Sequence, residues 1–380
     1  MNKGLYYWDV FLTTLIRSPR YIFNKIATIK LGAVRLSKKE EILLLKRLSI
    51  MLKAGLPIMT VLKMIQIESP STPVRSITTT VIADIDRGST LNQALSVYKS
   101  TFGFFTLRLI GIGERTGTLA ENLEYLVVEL KKKHELRKQI LGALLYPAII
   151  IMATIAITLF LVISIFPKIV PIFLSVKTTL PWSTRFLILL SDFLSNYGWY
   201  LLVLILTVSI ATPFLYKVES VRFFCQKNIL KLWLVGRLSK YYHLSQLSRT
   251  LGLLLTTGVS INIAIDIAAG STENLVYKKA LIEAKSYVEL GKPLSSALQK
   301  TQQLFPTLFV EMVMTGERTG SVASTFFYIS DIYESDIKDL TKNLTTIIEP
   351  LLMLIMGLLV GFVAISIISP IYGITQNLST

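Results

Sequence analysis

The sequence predicts an all-α membrane protein built by internal duplication, with two soluble antiparallel helical bundles of about six helices each and three transmembrane helices. Three observations carry that expectation. The pentapeptide GERTG stands at Gly113–Gly117 and again at Gly316–Gly320, an offset of 316 − 113 = 203. Three stretches of 19 to 23 residues hold at most one charge each. Elsewhere the apolar residues recur with the helical period, and no alternating run is long enough to make a strand of consequence.

The offset reaches well beyond the pentapeptide. It carries "LKAGLPI" (52–58) onto "LTTGVSI" (255–261), and Gly55 onto Gly258. Gly88 falls on Gly291, Leu91, Ala94 and Leu95 on Leu294, Ala297 and Leu298, and Phe102 on Phe305. Pro147 and Pro167 fall on Pro350 and Pro370, with no gap from about residue 37 to 167. GERTG recurs because the chain holds two copies of one unit.

Along the chain, residues 1–36 read as a basic, aromatic arm before the first copy. The "GLYYWDVFLTTLI" stretch within it is broken by Asp9 and followed by no small-residue cleavage pattern, which argues against a secretory signal. Residues 37–143 form the first soluble domain. Ser37 and Glu40 make a capping box for a helix whose face carries Leu45, Leu48 and Leu52. Gly55 suits a left-handed helix end, with Pro57 early in the next helix. Pro70 and Pro73 break the chain, and a third helix from about Val74 stops at Gly88. Thr90 caps a short fourth helix, and a fifth runs from about Phe104 to Arg115.

GERTG then reads as a corner between helices. Gly117 and Gly320 stand where a helix end takes positive φ, and Thr118 and Ser321 suit the N-cap of the following helix. Glu121 would complete a second capping box in the first copy, where the second has Ser324. The corner itself does not call for Glu114, Arg115, Glu317 or Arg318. Those four are either solvated charges or an interface. A nucleotide loop does not fit "GIGERTG": the third glycine is one residue late, a helix precedes it, and Gly111 becomes Met314.

The charge-poor runs give spans at 144–166, 197–216 and 347–369, each long enough for a hydrocarbon core of about 30 Å. They are joined by a connector at 167–196 and a second soluble domain at 217–346, and followed by a tail at 370–380. Three crossings let both copies place their soluble part on the same side. Residues 1–143 hold 22 Lys/Arg and 217–346 hold 15, against three in the connector and none in the tail, so both soluble domains and the N-terminus are expected in the cytoplasm and the C-terminus outside it. This bias accounts for the formal charge of +16 without nucleic acid, for which no basic-helix or aromatic-basic pattern exists.

Inside the spans, Gly357 and Gly361 make G-x-x-x-G, with Thr154 and Thr158 at the equivalent places. This small face permits close helix packing, within the chain or against another. Pro147 and Pro350 are expected to kink or end their helices. Glu349 is the ionisable residue of the third span and lies near its start, where it either functions or reaches back to water. Just before the first span the chain reads "LKKKHELRKQ", with Lys131, Lys132 and Lys133. The aligned "YESDIKDLTK" carries Glu334, Asp336 and Asp339, and the opposite signs suggest stems that pair, unless the basic cluster simply meets anionic lipid. One cysteine, Cys225, and two histidines, His134 and His243, exclude a disulfide framework and argue against a metal centre. No catalytic constellation is present, and no cofactor is expected.

The motifs "AGLPI…VL", "GSTLNQAL" and "GERTGTLAENL", the Tyr146-Pro147 step into a span and "IIEPLLMLIMGLLVG" resemble the type II secretion system protein F family, over roughly residues 37–377. One departure is local: the second copy keeps Phe305-Pro306 before the corner, and the first has Phe102-Gly103. The resemblance implies compact bundles in the cytoplasm of a bacterium, a dimer or higher homo-oligomer, and a non-enzymatic inner-membrane platform of a type IV pilus or type II secretion machine. Its implied partners are a hexameric assembly ATPase, pilin or pseudopilin subunits, other inner-membrane assembly proteins and membrane lipids. A small oligomeric transporter or channel subunit is the alternative, although three spans with one marginal charge offer little to line an aqueous path.

Overall fold

A computed structural model describes residues 35–175 and 181–378. The N-terminal arm expected at 1–36 lies almost wholly outside them. Among the described residues the secondary structure is helical throughout.

The first copy contributes α1 (Lys38–Lys53), α2 (Ile58–Glu68), α3 (Thr72–Asp86), α4 (Leu91–Ser96) and α5 (Lys99–Thr116). Helix α6 (Leu119–Phe160) passes through a π-helical turn at Leu161–Ile165 into α7 (Phe166–Ser175). Then come α8 (Trp182–Leu215), α9 (Glu219–Ile229) and α10 (Trp233–Thr256). The second copy continues with α11 (Ile261–Ser271), α12 (Leu275–Glu289), α13 (Leu294–Gln299), α14 (Thr307–Thr319) and the long α15 (Val322–Leu378). Adding 203 to both ends of α2, α3 and α4 gives both ends of α11, α12 and α13, so the duplication is preserved residue for residue in the backbone.

Local chemistry sets these limits. Ser37 and Glu40 exchange the two bonds of a capping box, at 3.3 and 2.8 Å, and Thr90 and Gln93 make another. Pro306 opens α14, but the first copy lacks that proline. There Gly103 takes φ 75°, a left-handed value, and makes the same break inside α5.

The chain divides into two compact units. One holds the described residues up to Glu135 together with Leu244–Ser330, so helices of both copies fall in one unit. Its limits fall earlier than the expected 143 and 346. The core of the first copy is aliphatic, with Leu45, Leu62, Ile65, Ile77, Leu109 and Leu126 essentially without exposure. Phe102 and Tyr98 are buried with them, and the second copy adds aromatics around the equivalent Phe305, which packs edge-on to Tyr277 at 5.7 Å and against Phe309 at 5.3 Å. Each such buried side chain contributes about 1.5–3 kcal/mol. The copies meet where α5 packs on α11, with the Phe104 ring lying over Gly270.

The other unit comprises 136–243 and residues from 331 on. Three helices here are long and apolar enough to cross a membrane, within Leu119–Pro171, Trp182–Leu215 and Val322–Ser366, with mean hydropathies of 2.9, 1.9 and 2.4. The connector at 167–196 is helical over its described residues 167–175 and 182–196, and polar side chains in it bond across to other helices. The Thr184 hydroxyl donates to the Ser366 carbonyl at 2.8 Å, and the Ser191 hydroxyl donates to the Val162 carbonyl at 2.8 Å beside the π-helical turn. Pro147 and Pro350 end nothing, since α6 and α15 run through them, and α15 continues as helix into the expected tail. In apolar surroundings, leaving the helix would orphan more backbone groups than the one bond a proline removes.

Candidate functional site

The GERTG corner is built identically in both copies, and four of its five residues have internal work. Gly113 and Gly316 are buried where two helices close together. A Cβ on Gly113 would lie 2.8 Å from Leu119 Cα, and one on Gly316 would lie 2.7 Å from Thr325 Oγ1. Thr116 and Thr319 bond back to the Ile112 and Thr315 carbonyls at 2.9 Å, and to the hydroxyls of Thr118 and Ser321 at 2.7 and 2.6 Å. Gly117 and Gly320 close α5 and α14 in the left-handed region, at φ 74° and 70°. Gly55, Gly88, Gly258 and Gly291 also have positive φ.

The glutamates correct the expectation that the corner does not need them. Glu114 accepts the backbone N–H groups of Leu91 and Asn92 at 2.5 and 2.9 Å. Glu317 accepts those of Leu294 and Ser295 at 2.6 and 3.1 Å, and the Ser295 hydroxyl at 2.5 Å. Each carboxylate thus satisfies orphan donors at the N-terminus of the short helix α4 or α13 from 22 to 23 residues away in sequence. They are neither solvated charges nor an exposed pair. Arg115 and Arg318 are exposed, and of the five residues these two are the ones left to face outward.

A buried ion pair escaped the sequence reading. Glu129 of α6 and Arg249 of α10 lie 3.5 Å apart with side chains 8% and 6% exposed. Their equivalents are Ile332 (129 + 203) and Lys46 (249 − 203), so the pair breaks the duplication and joins one copy to the other. That asymmetry is the only trace it leaves in the sequence. Glu41 is a second buried carboxylate, 2.7 Å from the Lys38 ammonium, and its Oε1 has no hydrogen-bond partner among the described residues. Burial raises its pKa against the opposing pull of Lys38.

From Leu136 on, the continuation of the first stem packs beside the second. Leu136, Ile337 and Leu238 share one apolar cluster, and Gln139 Nε2 is 3.5 Å from Thr341 Oγ1. Within the stems, Lys131 faces Glu135 at 3.9 Å and Lys338 faces Glu334 at 3.2 Å, both one turn apart on their own helix. Lys132 and Lys133 are part-buried, as are Glu334 and Asp336, whereas Asp339 is exposed.

In the spans, no described residue comes within 4 Å of a Cβ on Gly357 or Gly361. Among the described residues the small face therefore packs on nothing. It opens into an apolar groove of about 550 Å³ lined by Ile355, Leu358, Leu359, Phe362 and Ile365. Thr154 turns its hydroxyl back to the Ile150 carbonyl at 2.8 Å, while Thr158 is half-buried and Glu349 exposed. Among the described residues no group of three or more His, Cys, Asp or Glu could hold a metal ion.

Comparison with known proteins gives consistent matches. The family model for type II secretion system (T2SS) protein F matches twice, over residues 44–167 and 247–370, again 203 apart. A type IV pilus assembly protein PilC of Thermus thermophilus is 31% identical over 334 residues, covering 88% of this chain and 82% of its own. The type IV pilus assembly protein TapC of Aeromonas hydrophila is 28% identical, covering 90% and 83%. A type II secretion system protein F of Vibrio cholerae is 25% identical, covering 90% and 84%.

Proposed function

This chain belongs to the type II secretion system protein F family, and on that premise we propose that it is a non-enzymatic inner-membrane platform that couples a cytoplasmic assembly ATPase to the entry of pilin or pseudopilin subunits into a filament. The twofold family match, together with relatives named for pilus assembly and for type II secretion, is the observation that carries this reading. The excess of Lys and Arg in the soluble segments supports placing them in the cytoplasm, with the C-terminus on the other side.

In this reading the work is mechanical. The partner ATPase supplies the energy and moves the soluble helices. Helices α6 and α15, each continuous from a soluble copy into a span, carry that movement to the membrane. Arg115 and Arg318 are the charges offered to partners, and the basic and acidic stems pair by opposite sign. The open face at Gly357 and Gly361 takes another membrane helix at close range.

Depleting the chain from its host is expected to abolish surface filaments or secretion while subunits accumulate in the inner membrane. The ATPase should co-purify with the intact chain from native membranes. Filaments and secretion at normal levels without the chain would overturn the platform reading.

A further inference from the structure

The contact between the two copies is head-to-tail: α5 of the first packs on α11 of the second. A contact of this kind uses two different surfaces, and a duplicated chain carries each of them twice. The unused pair is α14, equivalent to α5, and α2, equivalent to α11. Both are open. On α14, Leu308 is 53% exposed, and with Met312, Thr315 and Tyr328 it lines a groove of about 530 Å³. The equivalent positions on α5, Leu109 and Ile112, are buried. On α2, Ile67 is 81% exposed and Met64 half-exposed, where α11 has Gly270 under the Phe104 ring and Ile267 buried.

The open surfaces complement one another by reversing the internal pair. Inside the chain the bulk is on α5, as Phe104, and the space is on α11, as Gly270. At the open surfaces the bulk is on α2, as Ile67 (270 − 203), and the smaller residue on α14, as Thr307 (104 + 203). Charge follows the same rule. At the next turn α5 has Arg108, stacked on Phe104, and α11 has Asp266, paired with Lys285 at 2.8 Å, whereas α14 has Glu311 and α2 has Lys63. The open pair thus carries the larger side chain and the opposite charges on exchanged sides.

We propose that α2 of one copy of the chain seats in the α14 groove of the next, repeating between molecules the contact that joins the two halves within one. Because the surfaces differ, the association is heterologous, and it closes into a ring if the rotation per copy permits. This surface does not depend on which machine the chain serves.

The test uses the full chain in native membranes, with Cys225→Ser to remove the one natural thiol. Copies carrying Ile67→Cys are co-expressed with differently tagged copies carrying Thr307→Cys and then oxidised. A covalent dimer is expected only from the mixture, and a ladder beyond the dimer from copies that carry both. Lys63→Glu should lower the cross-linked yield on the order of five-fold, and Glu311→Lys in the partner copy should restore it. No dimer from the mixture, with both variants at normal membrane levels, overturns the proposal. So does a dimer from Ile67→Cys alone, which would mean an isologous contact, or a cross-link from Thr307→Cys to a different protein.

Discussion

The carboxylate of Glu317 accepts the backbone N–H of Leu294 at 2.6 Å, closing the N-terminus of a six-residue helix with a side chain from the neighbouring one. Helix α13 begins with Pro293 at its N-cap, and no side chain there caps it. Glu317 is thus the cap, supplied from a distance. Glu317→Ala is expected to destabilise the protein by about 1–2 kcal/mol. Glu114→Ala should cost less, because Thr90 and Gln93 already cap α4. Thermal unfolding of the purified chain in detergent checks both the losses and their order, and equal melting of wild type and Glu317→Ala would defeat the capping role.

The buried pair Glu129–Arg249 gives a second expectation. Removing one partner takes the opposite charge at 3.5 Å away from a buried group, which costs about 3–5 kcal/mol. Glu129→Leu and Arg249→Leu should therefore each destabilise the chain strongly. The double variant should recover most of the loss, because both desolvation penalties disappear together. A double-mutant cycle read by denaturant midpoint measures the coupling, and simple additivity of the two losses would count against a functioning pair.

How much of this could be read from the chain depends on sequence range. The duplication, the helix ends and the three charge-poor runs are local signals, and the structure has them: Ser37–Glu40 and Thr90–Gln93 form their boxes where the spacing puts them. Six left-handed glycines, Gly55, Gly88, Gly117, Gly258, Gly291 and Gly320, were legible at helix ends, and Gly103, inside α5, was not. Glu114 and Glu317 were not, because their partners lie 22 to 23 residues away and a carboxylate looks alike whether solvated or capping. Glu129–Arg249 was harder still, as neither copy repeats it. Pro147 does not end its helix, for a physical reason: the proline rule for helices in water weakens where no water competes for backbone groups.

Glu41 sets a pH dependence. Its folded pKa is raised above the ordinary 4.5 because burial disfavours the charged form. A raised carboxyl pKa means the folded state binds its proton more tightly than the unfolded one. Stability from this group therefore rises as pH falls from neutral through the folded pKa towards 4.5, and the penalty is fully present above that window. Glu41→Gln should be more stable than wild type at neutral pH, and the gap should close on acidification. Melting curves of both proteins across the acidic range check this, and a gap that widens as pH falls would reverse the sign assigned here.

The stems give an expectation that separates lipid from protein. Lys131, Lys132 and Lys133 stand on a helix whose Leu136 shares a cluster with Ile337 of the acidic stem. Anionic lipid would attract the basic stem at about 1 kcal/mol per residue and repel the acidic one. Reversing the three lysines to Glu should reduce filament assembly under either account. Adding Glu334→Lys, Asp336→Lys and Asp339→Lys in the same chain should restore assembly if the stems pair by charge. Filament counts no better than in the single reversal would assign the lysines to lipid.

Gly357 and Gly361 allow the sharpest division between folding and function. A Cβ at either position meets open space, and the groove beside them is apolar. Replacing both with Leu therefore forces no clash inside the chain, improves helix propensity by roughly 0.5–1 kcal/mol per site, and favours insertion. The Gly357→Leu, Gly361→Leu protein should accumulate in the membrane at wild-type levels and melt no lower than wild type. What it loses is the close approach of another helix, since two Leu side chains fill the depression that small residues leave. Filament assembly should fall sharply while membrane levels and melting hold. Normal filaments from the double variant would mean that the face meets only lipid, and lower membrane levels would mean that it packs within the folded chain after all.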